Sequence, residues 1–160
     1  LIACLVENGR IDETGALWEE EEAPNGCGES CVRIGDSGVF LTQKDIRQVQ
    51  LAKAAICAGI LTMLEACGLS AEQVDTFFIC GGFGSYINAH AAAVIGLFPL
   101  ALENKVQVLG NAAGSGAVMM LSPHYREIAN RLQREASLIE LSESPVFMEQ
   151  YIEQMYFGME

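Results

Sequence analysis

A chain of 160 residues with a hydrophobic fraction of 51% has the length and apolar content for one domain of ordinary size with a real core. Twenty-one acidic against nine basic residues give a formal charge of −12, which argues against nonspecific binding to nucleic acid or to an anionic membrane. No apolar run is long and uninterrupted enough for a bilayer span, and residues 1–6 are too short and lack the basic flank of a signal peptide, so a soluble, cytoplasmic protein is expected.

In chain order, residues 1–8 read as the end of a helix stopped by Gly9, and Asn8-Gly9 and Thr14-Gly15 are turn signals around Ile11. Residues 16–30 form an acidic loop, with the run Glu19 to Glu22 followed by Ala-Pro-Asn-Gly; such a run is ordinarily a solvated face. Cys31-Val-Arg-Ile34 and Val39-Phe-Leu41 flank Gly35-Asp-Ser-Gly38 and predict a hairpin. Thr42 then caps a long helix, because Asp45 stands three residues on and the apolar pattern begins at Ile46. Ile46, Val49, Ile56, Ile60 and Met63 follow helical spacing, with Leu51, Ala54, Ala55 and Ala58 as a second apolar face, so the helix is expected to be largely buried. Its first half keeps Lys44, Arg47, Gln48, Gln50 and Lys53, more polar length than packing needs. Gly68 ends it.

Thr76-Phe-Phe-Ile-Cys80 is short, continuous and apolar, which suits a strand buried on both faces. The glycine turn Gly81-Gly-Phe-Gly84 follows, and then an alanine-rich helix over residues 88–96. Three glycines in four residues let the backbone turn sharply and allow a ligand to approach where a Cβ would collide. A helix starting near Ile87 would place its free N–H groups beside that turn, where a phosphate or ribose could be held. Residues 106–109 make a second short strand, and Gly110-Asn-Ala-Ala-Gly-Ser-Gly-Ala117 repeats the order of strand, glycine and helix. Pro123 after Ser122 opens a further helix with Tyr125, Ile128, Ala129 and Leu132 as its buried stripe. Residues 138–141 are a last strand candidate, and Ser144-Pro145 starts a final helix in which Phe147, Tyr151, Ile152 and Met155 pack inward.

The chemistry-bearing residues exclude more than they assert. No G-x-x-x-x-G-K-[ST] occurs, and a dinucleotide fingerprint begun at Gly82 or Gly114 puts Ile87 or Met119 where its third glycine belongs. Cys4, Cys57, Cys67 and Cys80 lie in apolar patterns and read as small buried hydrophobes, reduced in the cytosol. Cys27 and Cys31 are close-spaced on a loop, but a zinc or iron–sulfur site wants about four ligands and no second pair stands at such spacing. Neither His90 nor His124 has a metal-spaced partner, and both read as helix-surface or capping residues. The residues alone thus give an α/β fold with two glycine-rich corners at one sheet edge: a nucleotide-binding half-domain, or simply two tight connections.

Three blocks carry a resemblance further: Leu41-Thr-Gln-Lys-Asp-Ile-Arg-Gln-Val-Gln-Leu-Ala-Lys-Ala-Ala-Ile56, Cys80-Gly-Gly-Phe-Gly-Ser-Tyr-Ile87 with Ile95-Gly-Leu-Phe-Pro99, and Gly110-Asn-Ala-Ala-Gly-Ser-Gly-Ala117. In that order they resemble the C-terminal part of the ATP-dependent reductive activators of corrinoid-dependent methyltransferases. Those proteins belong to the superfamily of acetate and sugar kinases, heat-shock chaperones and actin. The resemblance implies part of a ribonuclease-H-like ATPase lobe in which Gly81, Gly82, Phe83, Gly84 and Ser85 match the adenosine motif. Asn111 and Gly114 would lie in the second interdomain connecting helix, and Arg47, Gln50 and Lys53 would face the adenine or ribose. It also implies that residues 1–160 are a single C-terminal lobe of a larger protein, without the phosphate loops, the catalytic lobe or the N-terminal iron–sulfur domain. The start at Leu1 agrees with a shortened chain. The parent would use ATP with Mg to reduce cob(II)alamin to cob(I)alamin in a partner corrinoid protein, and this lobe alone would be inactive. Two alternatives stay open: a lobe of a small-molecule kinase of the same superfamily, and an interaction module whose apolar helices pair in a homodimer. A ferredoxin-like cysteine cluster upstream would favour the activator.

Overall fold

The computed structural model describes residues 1–18, 21–22, 30–82, 84 and 86–158, and everything below concerns these. The chain begins with helix α1 (Ile2–Glu7), which Gly9 ends with a φ of 67°. Strands β2 (Ser30–Arg33) and β3 (Phe40–Thr42) form the expected antiparallel hairpin, with Arg33 opposite Phe40 and Ile34 N–H donating to Val39 at 2.9 Å across the turn. A two-residue strand β1 (Glu21–Glu22) pairs antiparallel with β2, so the acidic stretch read as loop contributes an edge strand. Cys27 and the rest of that stretch lie outside the described residues.

Helix α2 (Gln43–Ala66) is the longest described element. The capping box forms as its sequence dictates: Thr42 Oγ1 accepts from Asp45 N–H at 3.2 Å and Asp45 Oδ2 accepts from Thr42 N–H at 2.9 Å. At the far end Gly68 takes φ 65°, its N–H reaching Glu65 at 2.8 Å while Leu69 N–H reaches Leu64 at 2.9 Å; these two bonds satisfy the last carbonyls. By length and composition alone α2 would suffice to cross a membrane, although Lys53 interrupts its apolar run. Its packing is that of a core helix: Ile46, Ala54, Cys57 and Ala58 are buried, and α6 (Pro145–Glu153) lies along it. The buried face matches the predicted one only in part, at Ile46, Ala54 and Ala58. Gln50 and Lys53 are inside, whereas Leu51, Ile56 and Met63 are exposed.

Strands β4 (Phe77–Cys80) and β5 (Val106–Gly110) pair in parallel, Phe77 opposite Val106 and Ile79 opposite Val108, with a register shift before Cys80 meets Gly110. Helix α3 (Ala89–Val94) connects them, capped by Asn88 Oδ1 on Ala91 N–H at 2.8 Å. Phe77 and Ile79 pack on a core of Ala71, Ala92, Ala93, Phe98 and Leu102. Phe78 is 54% exposed, so β4 is covered on one face only and not on both. A second core, of Leu5, Ile11, Val32, Ile46 and Phe157, joins the hairpin, α1 and the C-terminal end of the chain.

Helices α4 (Ala112–Met119) and α5 (Pro123–Glu135) follow the second glycine corner and bury no residue. The predicted stripe on α5 is covered only in part: Ile128 and Ala129 are half-buried, while Tyr125 and Leu132 are exposed. Residues 138–141 are likewise not a strand: Leu138 is 89% exposed, and Leu141 opens a single 3-10 turn whose side chain reaches toward Gly59. A strand there would have needed a neighbour to take up its backbone groups. Cys4, Cys67 and Cys80 are exposed, contrary to the apolar patterns around them, while Cys57 is buried as expected and Cys31 is buried on β2.

Candidate functional site

The two glycine corners sit at the same end of the parallel pair. Gly81 and Gly110 close β4 and β5 with φ of 88° and 63°, a region in which a Cβ would crowd the following carbonyl. Gly81 N–H donates to Gly110 at 2.7 Å, so the corners are one hydrogen-bonded unit. The glycines within it divide into two kinds. A Cβ on Gly84 would lie 2.9 Å from Ile79 Cγ2 and 3.2 Å from the Ile79 carbonyl carbon, and one on Gly114 would lie 2.6 Å from Asn111 Nδ2. Those two glycines are demanded by packing. Gly82 is different: it is exposed, and a Cβ there would meet no atom within 4 Å. Phe83 and Ser85 lie outside the described residues.

The helix ends beside the corners are already capped. Asn111 Oδ1 accepts from Gly114 N–H at 2.9 Å at the start of α4, and α3 begins at Ala89 with Asn88 as its cap, two residues later than the sequence placed it. What the unit presents to a ligand is therefore the open backbone at Gly82. Among the described residues no three His, Cys, Asp or Glu side chains converge as a metal-binding group. Exposed backbone of this kind suits the sugar or phosphate side of a nucleotide, which is recognised by shape and backbone contact.

Arg47, Gln50 and Lys53 stand together, one helical turn apart, on the face of α2 that meets the chain's C-terminal end. Arg47 Nη1 donates to the Thr14 carbonyl and to Gln50 Oε1, both at 2.7 Å. Gln50, only 3% exposed, donates through Nε2 to Thr14 at 3.0 Å and to Met155 at 2.8 Å. Lys53 Nζ donates to the Tyr156 carbonyl and lies 5.1 Å from the centre of the Phe157 ring. Burial pushes the Lys53 ammonium down to about 8, opposed by the neighbouring Cys57, and pushes the Cys57 thiol up to about 11. Gly96, with φ 72°, leaves room for Lys53: a Cβ there would be 3.0 Å from Nζ. A cavity of about 550 Å³ opens beside Arg47 and Gln50; none of its lining residues comes from the glycine corners. The partners of Gln50 and Lys53 are backbone carbonyls, which carry no side-chain identity, so sequence reasoning had no signal with which to find Met155 or Tyr156.

His90 on α3 bridges two acids: Nδ1 contacts Glu103 at 2.9 Å and Nε2 contacts Glu7 at 3.1 Å. The contact with Glu103, and then that with Glu7, raises the imidazole above its ordinary value. It is a surface residue on a helix, as its isolation in the sequence implied.

A parallel pair whose glycine corners meet at one edge, followed by short helices and crossed by a long core helix, defines an α/β lobe of the actin-like ATPase class. The description of the C-terminal domain of RACo, the ASKHA domain, matches residues 1–160, and the chain belongs to that family. Corrinoid activation enzyme RamQ of Eubacterium limosum is 40% identical over 121 residues, 75% of this chain and 20% of that protein. The solved structure of a reductive activator for corrinoid, iron-sulfur protein superposes with a TM-score of 0.78 at 30% identity, covering 98% of this chain and 27% of that one. The chain thus spans about a fifth to a quarter of the length of these relatives. Membership of the ASKHA family points to nucleotide binding.

Proposed function

We propose that this chain is the C-terminal nucleotide-binding lobe of an ATP-dependent activator that reduces cob(II)alamin to cob(I)alamin in the corrinoid protein of a methyltransferase system. The observation that carries the reading is the family match over all 160 residues, joined to two relatives whose names state corrinoid activation. The small-molecule kinase and the pure dimerisation module are not favoured, because both relatives described above are named for corrinoid activation. The uncovered face of β4–β5 and the unburied α4 and α5 agree with a lobe completed by the rest of a longer protein. Parallel sheets are ordinarily covered on both faces.

In this reading Gly81, Gly82 and Gly84, with Phe83 and Ser85, form the adenosine turn, and Asn111 and Gly114 fix the start of the connecting helix beside it. Mg and the catalytic groups around the β- and γ-phosphates belong to another lobe, and an iron–sulfur cluster to an N-terminal domain. That cluster would supply the one electron that takes the partner's cobalt(II) to cobalt(I), and would itself be left oxidised by one electron. The lobe arrangement favoured by ATP assists this transfer only if it binds the corrinoid partner differently from the other arrangement. The formal charge of −12 argues against nonspecific binding to nucleic acid or to an anionic membrane. The test mixes this chain, then the full-length protein, with ATP, Mg, a reductant and cob(II)-loaded corrinoid protein, and follows the visible spectrum. Cob(I) should form with the full-length protein in an ATP-dependent way and not with this chain. Failure of the full-length protein would remove the activator reading.

A further inference from the structure

A second and larger cavity, of about 980 Å³, lies among the C-terminal half of α2, the 3-10 turn Ala71–Gln73, residues 96–101 after α3, and the end of α6. It shares no lining residue with the glycine corners or with the cavity beside Arg47, so it stands apart from the nucleotide reading. Leu61, Leu64, Ala93 and Phe98 give it an apolar lining, and Leu69 and Leu100 remain exposed within it. Its charged lining residues are all acidic: Glu65, Glu72 and Glu153, exposed side chains from three different elements. Among the described residues no lysine, arginine or histidine lines it. The basic side chains behind its walls are engaged, Lys105 Nζ on the carbonyls of Ala71 and Glu72 at 3.1 and 2.7 Å, and Lys53, which approaches Gly96, on the Tyr156 carbonyl. Two helix ends add charge of the same sign. The last residues of α2 and α6 reach the cavity beside Gly68 and Glu153, neither helix has a basic residue in its last turn, and the C-terminal end of a helix dipole is negative.

We propose that this groove docks a partner protein through a segment that sets lysine or arginine side chains among apolar ones. The apolar lining takes the hydrophobic side chains, and the acidic rim with its two helix ends takes the cations, a complementarity that steers encounter and fixes register. The three carboxylates do not converge as a metal-binding group, so one small cation would meet only part of this charge. An extended segment can bring cations to more than one of them while it covers Leu69 and Leu100. A second copy of this chain fits less well, because it would bring a further −12 against an acidic rim.

The test uses the full-length protein with a labelled peptide of alternating leucine and lysine, the same peptide with glutamate in place of lysine, and spermidine. In fluorescence anisotropy the leucine–lysine peptide should bind, the leucine–glutamate peptide should not, and spermidine should fail to displace the bound peptide. Glu65→Gln, Glu72→Gln and Glu153→Gln together should weaken peptide binding about tenfold and leave the melting temperature unchanged, since all three side chains are exposed. Glu127→Gln, Glu135→Gln and Glu143→Gln together remove the same charge from exposed positions outside the groove, and should leave peptide affinity unchanged. Where the rim variant lowers the melting temperature, Leu100→Ser serves instead, at an exposed apolar position, and should also weaken the peptide. Absence of peptide binding, full affinity in the rim variant, or an equal loss in the two triple variants would overturn the proposal. Displacement by spermidine would make the occupant a small cation, and a dimer in sedimentation that the rim variant dissolves would make it a second copy; either result overturns the assignment to a partner's segment.

Discussion

The glycine corners and the α2–tail junction put opposite kinds of residue to work. At the corners the backbone itself is what is exposed: Gly81 and Gly110 supply the left-handed turns, and Gly82 lies open. At the junction long polar side chains are buried so that backbone from the far end of the chain can be buried too, Gln50 on Met155 and Lys53 on Tyr156. A buried carbonyl without a donor costs about 1–3 kcal/mol, which is why a lysine is tolerated inside. The contrast separates residues whose own backbone is left open from residues whose side chains hold distant backbone in place.

The largest effect should come from the junction. Phe157→Ala empties a buried site shared with Leu5, Ile11, Val32 and Ile46, and is expected to cost about 3–5 kcal/mol. Hydrogen exchange of α1 and the hairpin in the full-length protein measures it, and unchanged protection would mean that the tail is not part of that core. At the corners Gly84→Val should come next, because its branched side chain must displace Ile79; overpacking of this kind costs about 1–3 kcal/mol. A melting curve matching the wild type would show that the turn can relax.

Lys53 sharpens the contrast through pH. Its proton leaves near pH 8 in the folded chain and near 10.5 in the unfolded one, so the unfolded state binds more protons between those values and stability rises with pH across that window. Cys57 acts in reverse between 9.0 and about 11, because the unfolded thiol ionises first. The window from pH 8 to 9 therefore isolates Lys53, with a slope of up to about 1.4 kcal/mol per pH unit. Lys53→Met should lose this slope in exchange protection of α2, and a slope shared by both proteins would exclude Lys53 as its source. The smallest effect belongs to His90, whose raised value means that its tie between Glu7 and Glu103 is fully formed below its ordinary 6.5 and is lost as pH rises through the folded value. Glu103→Gln should lower the His90 titration midpoint seen by NMR, and an unmoved midpoint would break the assignment.

What could be read in the sequence follows the same division. The hairpin, the Thr42–Asp45 capping box and the meeting of the two glycine corners were legible because turn glycines and caps act on their own neighbours. The face that α2 buries was not, since apolar spacing predicts Ile56 and Met63 inside while tail carbonyls a hundred positions away draw in Gln50 and Lys53. The stripe on α5 and the second face of β4 were read correctly as apolar and wrongly as buried. Apolarity is local, but burial needs a partner, and Tyr125, Leu132 and Phe78 are left exposed on those faces.

The central claim, that nucleotide runs against the open backbone of the first corner, is tested most directly at Gly82. A Cβ there meets no atom within 4 Å, so Gly82→Val in the full-length protein should melt as the wild type does. Calorimetric titration with ATP should then show at least a tenfold loss of affinity. Unchanged ATP affinity would contradict the account and leave the joined corners as a structural connection only.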